Sequence, residues 1–407
     1  MQTNLSEDAR ALTRGEEAEE ILRTCVHCGF CNATCPTYQL LGNELDGPRG
    51  RIYLIKQMME GQPVTEKTQL HLDRCLTCRN CETTCPSGVK YHTLLDIGRE
   101  MLDQQVKRPL AQRALRAGLR QIIPSPRTFG MLLKAGRLVR FALPKSINDK
   151  IPPGITGPGE RPKVQHERRM LMLEGCVQRS LSPNTNAAAA RVLDRLGVSI
   201  DHVAEAGCCG ATDYHLDAQE SALNRARRNI DAWWPKVQAG VEAIVQTASG
   251  CGAFVKEYGD LLRNDPLYSA RARHISSITK DLVEVLAAEA IEKLRIEANQ
   301  RIAFHCPCTL QHAQKLGGAV EGVLSRLGFG LTSVPNAHLC CGSAGTYSLT
   351  QPVLARQLRD DRLEALESGN PDVIATANVG CQAHLDSGGR TSVRHWIEIV
   401  DASLKGK

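Results

Sequence analysis

A cysteine run that occurs twice near the N-terminus constrains this 407-residue chain more than any other feature. Each run has the form Cys-x2-Cys-x2-Cys-x3-Cys-Pro, and the two runs span Cys25 to Pro36 and Cys75 to Pro86. Three cysteines at steps of three can face one centre from a short turn. The fourth cysteine lies four residues further along, points away and reaches a second centre. The pattern therefore predicts two metal centres that are cross-ligated by the two runs.

This is the spacing of bacterial two-cluster ferredoxins, and soft thiolates suit iron–sulfur clusters. It predicts two [4Fe-4S] centres. One is assigned to Cys25, Cys28, Cys31 and Cys85, and the other to Cys75, Cys78, Cys81 and Cys35. The alternative is a pair of zinc sites with four thiolates each, but such sites usually use two Cys-x2-Cys pairs. The spacing favours the clusters.

The chain has 17 cysteines, yet it is long enough to bury ordinary hydrophobic cores without cross-links. Its first twenty residues, MQTNLSEDARALTRGEEAEE, are polar and lack an apolar signal core. No stretch approaches the roughly 18 apolar residues of a membrane-spanning helix. We therefore expect a cytoplasmic protein whose reduced cysteines are metal ligands or redox groups rather than disulfides.

The remaining nine cysteines belong to an internal repeat. Cys176 precedes Cys208 by the same number of residues as Cys308 precedes Cys340, and each copy then has Cys-Cys-Gly. Each copy closes with a short apolar strand that runs into Gly-Cys, at Cys251 and at residue 381. Alternating strands and helices predict a duplicated α/β unit.

A glycine after two adjacent cysteines permits positive φ, so both thiols can face one centre. One predicted set is Cys176, Cys208, Cys209 and Cys251; the other is Cys340, Cys341 and Cys381 with either Cys308 or Cys306. Three interpretations stay open: an additional iron–sulfur or metal centre, a redox-active thiol pair, or purely structural cysteines. Four histidines of the second repeat are alternative ligands or proton carriers: His305, His312, His338 and His384.

The predicted fold class is a multidomain α plus α/β protein, with an N-terminal helical two-cluster domain followed by the duplicated Cys-Cys-Gly domain. The expected parts are a ferredoxin-type domain (1–104), a basic helical segment with a Pro/Gly-rich linker (105–168), and two repeats (169–300 and 301–407). The stretch from Ile151 to Lys163 holds the prolines and glycines of the linker.

The basic segment carries the whole positive excess of the chain. Ten Lys or Arg and no acidic residue lie between Gln105 and Lys145, so the net charge of +6 leaves −4 for the remainder. Leu110 to Ile123 and Met131 to Leu143 are amphipathic, which suits an anionic membrane face or an acidic partner. The alternative is a helical pair packed on the protein's own core. Nucleic acid is not expected, because only two aromatic residues lie there.

These motifs resemble the iron–sulfur subunits of flavin-linked respiratory oxidoreductases. That family includes Cys-Cys-Gly subunits of heterodisulfide reductase, of anaerobic glycerol-3-phosphate dehydrogenase and of bacterial glycolate oxidase. The similarity to the glycolate oxidase subunits spans nearly the whole chain. It is carried by residues 25–51, 72–92, 246–259, 305–317 and 339–347.

The resemblance implies an electron-transfer subunit without a catalytic residue of its own. FAD-bearing partner subunits would oxidise glycolate to glyoxylate, and this chain would pass electrons towards a quinone, peripherally on the inner membrane. The alternatives are a subunit of another 2-hydroxy-acid or glycerol-3-phosphate dehydrogenase, or a disulfide-reductase-type catalytic subunit. The closing motifs Cys251-Gly-Ala-Phe254 and Cys381-Gln-Ala-His384 lack the second cysteine of the family's Cys-x2-Cys, which argues against a five-cysteine cluster.

Overall fold

The computed structural model describes residues 1–142, 151–152 and 154–405. The chain divides into two compact units, Met1–Ala117 with His338–Leu358 and Gly118–Ala337 with Arg359–Lys407. The four-part division expected from the sequence stays a prediction. Lys145, Leu143 and Pro153, which the sequence places in the basic segment and linker, lie outside the described residues.

The described part of the first unit contains helices and no strands. The helix Pro48–Met59 connects the two cysteine runs; it begins at a proline, whose fixed φ suits the first helical position, and Gly61 follows it with φ 84°. The apolar core of this unit includes Leu22, Ile55, Met58 and Leu94. The helices are Glu7–Ala11, Gly15–Thr24, Phe30–Ala33, Pro36–Leu41, Pro48–Met59, Glu66–Asp73, Asn80–Thr84, Tyr91–Gln105 and Tyr347–Thr350, with a 3-10 turn at Glu44–Asp46.

The second unit contains two four-stranded parallel sheets of identical topology. The strands are β1 (Arg168–Met172), β2 (Val198–Asp201), β3 (Ile244–Gln246), β4 (Thr279–Asp281), β5 (Arg301–His305), β6 (Gly330–Leu331), β7 (Val373–Thr376) and β8 (Val393–His395). The orders are β2-β1-β3-β4 and β6-β5-β7-β8. The predicted α plus α/β class with a duplicated α/β domain is confirmed.

Helices cover these sheets, as short parallel strands require. They are Gln178–Leu181, Asn184–Asp194, Ala211–His215, Gln219–Gln238, Ser249–Lys256, Tyr258–Leu261, Ser269–Ile278, Leu282–Ala288, Ala319–Arg326, Val379–Asp386 and Trp396–Ala402, with a 3-10 turn at Ile291–Lys293 and a π-helical turn at Thr309–Ala313. Leu110–Ile122 and Pro352–Glu367 each continue from one unit into the other.

The two repeats share one hydrophobic core within the second unit. Leu193 of the first repeat and Phe304 and Trp396 of the second belong to the same buried cluster. The backbone N–H of Ser249, just after β3, donates to the Ala377 carbonyl, just after β7, at 3.1 Å. The carboxyl ends of β3 and β7 therefore lie side by side, where parallel sheets place their functional sites.

The predicted amphipathic stretches of the basic segment are helical. They form Leu110–Ile122 and Pro126–Leu138, followed by a 3-10 turn at Arg140–Ala142. The described residues of the linker, 151–152 and 154–163, contain neither helix nor strand. Among the described helices, none combines the length and apolar character needed to span a bilayer.

Candidate metal centres

The first ferredoxin-type cavity lies in the first unit. Its lining includes the predicted set Cys25, Cys28, Cys31 and Cys85. Burial, followed by the neighbouring thiolates of the same set, raises the pKa of Cys31 to about 11. Groups that repel one another's negative charge need a cation between them, so this donor set fits a metal cluster. Ligation itself stays a prediction.

The second cavity is lined by the other predicted set, Cys35, Cys75, Cys78 and Cys81. Burial raises the pKa of Cys81 well above its usual value, and the thiolates of Cys78, Cys75 and Cys35 raise it further. Cys81 and Tyr91 line both cavities. The two sets are therefore adjacent, as the cross-ligated spacing predicts.

Both cysteine loops use left-handed backbone at the same two positions. His27 and Gly29 have φ 60° and 86°, and Thr77 and Arg79 have φ 52° and 60°. Such residues can turn successive N–H groups towards one side, which creates a binding place for an anionic group. Sequence reasoning missed this feature because three of the four residues are not glycine; the matching positions in the two runs were the only signal.

A buried cation lies beside the second cavity. Arg51 is 1% exposed, donates to Thr37 Oγ1 at 3.1 Å, and lies 3.7 Å from Asp46. Burial lowers the pKa of Arg51, but the thiolates of Cys75 and Cys35, together with Tyr91 and Asp46, raise it above its ordinary value. Arg51 therefore supplies positive charge next to this thiol set. In the sequence, Arg51 stands out only as the last residue of the similar stretch 25–51.

Hydrogen bonds also reach the sulfur atoms of the second set. The Tyr91 hydroxyl donates to Cys75 Sγ at 3.6 Å, and the Thr77 N–H donates to the same sulfur at 3.5 Å. The Thr37 hydroxyl lies 3.3 Å from Cys35 Sγ. Hydrogen bonds to cluster sulfur raise the reduction potential, so the donors Tyr91 and Thr77 would favour the reduced state of a cluster held by this set.

The first Cys-Cys-Gly set lies within the second unit, and the structure brings its four cysteines together. The thiols of Cys176 and Cys209 donate to Cys208, and Cys209 also contacts Cys251. These hydrogen bonds lower the pKa of Cys208 well below its usual value. The pKa values of Cys176 and Cys209 are raised by their hydrogen bonds to Cys208 and by burial. Four reduced thiols in contact fit a thiophilic metal centre.

The glycine of the first Cys-Cys-Gly turn is required sterically. Gly210 has φ 104°, and a Cβ there would lie 2.8 Å from the Ala222 carbonyl oxygen. Its N–H donates to Cys208 Sγ at 3.5 Å. The Asn229 amide and the Tyr258 hydroxyl donate to the carbonyls of Cys208 and Cys209, respectively. The turn is therefore fixed by neutral donors around the two sulfurs.

In the second repeat, strand register identifies the equivalent positions. Leu171 pairs with Ile244 in the first sheet, and Ala303 pairs with Ile374 in the second. Residue 381 is therefore equivalent to 251, residue 308 to 176, and residue 305 to 173. Cys306 instead packs in the apolar core, where burial raises its pKa. Cys308, and not Cys306, takes the position of Cys176.

His305 ends strand β5 and is 1% exposed, and neither ring nitrogen has a hydrogen-bond partner. A ring nitrogen lies within 4.8 Å of Cys381 Sγ. Burial lowers the pKa of His305 well below its usual value, and the charges of Arg362 and His384 lower it further. The imidazole is therefore held in its neutral form, which is the form that binds metals.

The second Cys-Cys-Gly turn repeats the backbone geometry of the first. Cys340 and Cys341 are buried in the first unit, and Gly342 there has φ 83° and donates its N–H to Cys340 Sγ at 3.4 Å, as Gly210 does to Cys208. The His338 carbonyl accepts from the Asn80 amide in the same unit. His312 is buried in the π-helical turn Thr309–Ala313, and His384 is half-buried.

Comparison with known proteins gives consistent matches. The cysteine-rich domain (CCG) matches residues 170–256 and 302–386, and the 4Fe-4S dicluster domain matches residues 21–89. The chain is 66% identical to the glycolate oxidase iron–sulfur subunit of Escherichia coli, over 100% of both chains. It is 30% identical to a probable glycolate oxidase iron–sulfur subunit of Bacillus subtilis, over 92% of this chain and 90% of that one. A hypothetical protein from Helicobacter pylori has a similar fold, with a TM-score of 0.54 at 10% identity, covering 98% and 74% of the two chains.

Proposed function

Since the chain belongs to the family of glycolate oxidase iron–sulfur subunits, we propose that it is the electron-transfer subunit of an enzyme that oxidises glycolate to glyoxylate. The observation that carries the proposal is the pair of adjacent cavities that are lined by eight thiols in total and share Cys81 and Tyr91. A relay of single electrons needs two redox centres close together, and the adjacency of the two thiol sets supports such a relay.

The eight thiols of the two cavities are the proposed ligands: Cys25, Cys28, Cys31 and Cys85 for one [4Fe-4S] cluster, and Cys35, Cys75, Cys78 and Cys81 for the other. When bound, such clusters supply one-electron reduction and oxidation. Arg51 and the hydroxyl of Tyr91 stabilise negative charge at the second set. They favour a higher reduction potential at the second cluster than at the first, so the electron would stay longer on the second.

The electrons come, in this proposal, from flavoprotein subunits that carry FAD. Cys28 is exposed at the first cavity, and its sequence neighbours Val26 and Phe30 are 68% and 63% exposed. Exposed apolar side chains beside an exposed ligand suit contact with another subunit. We place the entry of electrons at this surface.

The acceptor is, in this proposal, a quinone at the inner membrane, where the chain would lie peripherally on the cytoplasmic side. Support comes from the helix Pro126–Leu138 and the turn after it. Met131, Leu138 and Phe141 are 65%, 78% and 91% exposed, and Lys134 is exposed among them. Exposed apolar side chains with interleaved positive charge suit an anionic lipid surface.

An additional metal centre is proposed at the first Cys-Cys-Gly set. The contacts among Cys176, Cys208, Cys209 and Cys251 support it, because one ion can bind all four thiolates at once and offset part of their negative charge. The closing motif supplies four cysteines rather than five, so we assign this centre no substrate chemistry.

The test of the relay is Cys28→Ala in the assembled complex. We expect glycolate-dependent dye reduction to be abolished and the iron content to fall from the roughly eight irons of two clusters. Cys306→Ala is the matched control, because Cys306 lies in the core and outside both cavities. Unchanged turnover in Cys28→Ala would remove this cluster from the electron path, and zinc in place of iron in the parent complex would refute the central proposal.

A further inference from the structure

A buried histidine at the end of strand β5 has no role in the electron relay described above. His305 is 1% exposed, and both of its ring nitrogens lack hydrogen-bond partners. A polar group buried without a partner loses its hydration and gains nothing in return. Such a group in a folded protein calls for a ligand.

A candidate metal donor lies beside it, a cysteine of the predicted second set. A ring nitrogen of His305 and Cys381 Sγ lie within 4.8 Å of each other. Metal–nitrogen bonds of about 2.0–2.1 Å and metal–sulfur bonds of about 2.3 Å bring two ligands of one metal to such a separation. The Asn378 amide donates to Cys381 Sγ at 3.5 Å and orients the sulfur.

The first repeat provides an internal contrast. By strand register, the residue at the position of His305 is Leu173, which is buried and apolar. The fold therefore needs only a side chain of about this size at that position. The imidazole of the second repeat is not demanded by packing.

We propose that His305 is an imidazole ligand of an iron–sulfur centre in the second repeat, beside Cys381. The choice of iron rests on the proposed function, in which this chain is an iron–sulfur subunit. A neutral imidazole in place of an anionic thiolate lowers the negative charge of a centre and raises its potential, as in clusters with histidine ligands. The two repeats thus hold centres of different composition despite their common fold.

The experiment uses the reduced complex, prepared with 15N-labelled histidine. Pulsed EPR is expected to detect a strongly coupled nitrogen whose coupling changes with the label. His305→Leu copies the first repeat, so it should remove this coupling and reduce the iron content, while the signals of the ferredoxin-type clusters persist. His305→Cys keeps a donor, so it should retain the iron and lose the nitrogen coupling.

His384→Gln is the control, because His384 lies on the same helix as Cys381 and close to His305. It should leave the nitrogen coupling intact. The proposal is overturned if His305→Leu keeps both iron and coupling, if His384→Gln removes the coupling, or if zinc occupies the centre. Glycolate-dependent dye reduction by Cys28→Ala tests the electron-transfer proposal separately. Failure of that proposal can therefore be distinguished from failure of the His305 proposal.

Discussion

The ferredoxin-type cavities and the first Cys-Cys-Gly set both gather four thiols, but their electrostatic surroundings differ. Beside the second cavity lies the buried cation Arg51, and Arg99 nearby donates to the Cys75 carbonyl at 3.1 Å. Around the first Cys-Cys-Gly set, the hydrogen-bond donors are the neutral groups of Asn229, Tyr258 and Gly210. The charge of Arg225 also lowers the pKa of Cys208, but this side chain is partly exposed and paired with Asp213 at 2.5 Å. A buried positive charge stabilises a site that gains an electron, whereas mostly neutral donors suit a thiolate set that holds a metal permanently and does not change its charge.

The largest effect, on metal content and stability, is expected from replacing a cysteine of the first Cys-Cys-Gly set. Cys209→Ala breaks the chain of thiol contacts, so the first repeat should lose its metal while the roughly eight irons of the ferredoxin-type clusters remain. Structural thiolate sites bind zinc with about 10–16 kcal/mol, so the apparent unfolding midpoint should fall steeply. Metal analysis and thermal unfolding measure both.

Cys306→Ala is the matched control for that change. Its thiol lies in the apolar core, so only packing is lost, and the metal content should stay the same. An unaltered metal content in Cys209→Ala would mean that the first set holds no metal and that its cysteines are structural.

Two buried aspartates, one in each unit, also differ in the charge of the groups that donate hydrogen bonds to them. Asp46, in the first unit, accepts from Arg74 at 2.9 Å and lies 3.0 Å from His71. Asp281, in the second unit, accepts from the Val283 N–H and the Gln314 amide, and burial raises its pKa from 3.8 to about 7. Asp46 accepts from a charged arginine, whereas the hydrogen-bond donors to Asp281 are neutral, and the charges of Lys256 and Glu284 act on its pKa in opposite directions.

The second prediction therefore concerns Asp281→Asn, which is neutral at all pH values and can still cap the helix Leu282–Ala288. A folded-state pKa above the unfolded one means that the native protein holds the proton more tightly. The contribution of Asp281 to stability is thus greatest below pH 4 and is lost as the pH rises towards 7.

The stability of the parent relative to Asp281→Asn should consequently decline across this window, by at most about 4 kcal/mol. Apparent unfolding midpoints at pH 5.5 and 8 measure the difference. A constant difference at both values would show that the carboxyl group does not titrate in this range.

The smallest predicted effect is a shift in potential at the positively charged site. Arg51→Met removes the cation beside Cys35 and Cys75, so the second cluster should become harder to reduce, on the order of 59 mV or about 1.4 kcal/mol for one electron. Arg51→Lys keeps the charge and should restore most of the potential. A redox titration followed by EPR distinguishes the variants; equal shifts in both would assign the effect to packing instead.

Much of this arrangement was accessible from the sequence, because the constraints are local. The spacing of the cysteine runs predicted which thiols line each cavity, and the repeat predicted that Cys176, Cys208, Cys209 and Cys251 meet. The duplicated α/β fold followed from the same repeat. Ligand identities and domain boundaries stay predictions.

Other features depended on which segments pack together. The sequence left Cys306 and Cys308 as alternatives, and strand register separated them by placing Cys306 in the core. It listed His305 as one of four histidines, and burial without a partner singled it out. Nothing in the sequence marks Arg51 as buried, and only the structure shows that its side chain is 1% exposed.

The sequence alone thus determined the soft-metal chemistry of the chain, since cysteine spacing fixes which sulfurs a short loop can turn to one side. Only the tertiary structure decided the electrostatic environment of each thiol set. Burial and the placement of Arg51, Asp46 and His305 arise from contacts between residues distant in the chain, and no local pattern encodes them. Desolvation makes these contacts matter, because a charge or an unpaired nitrogen acts strongly only where water is excluded.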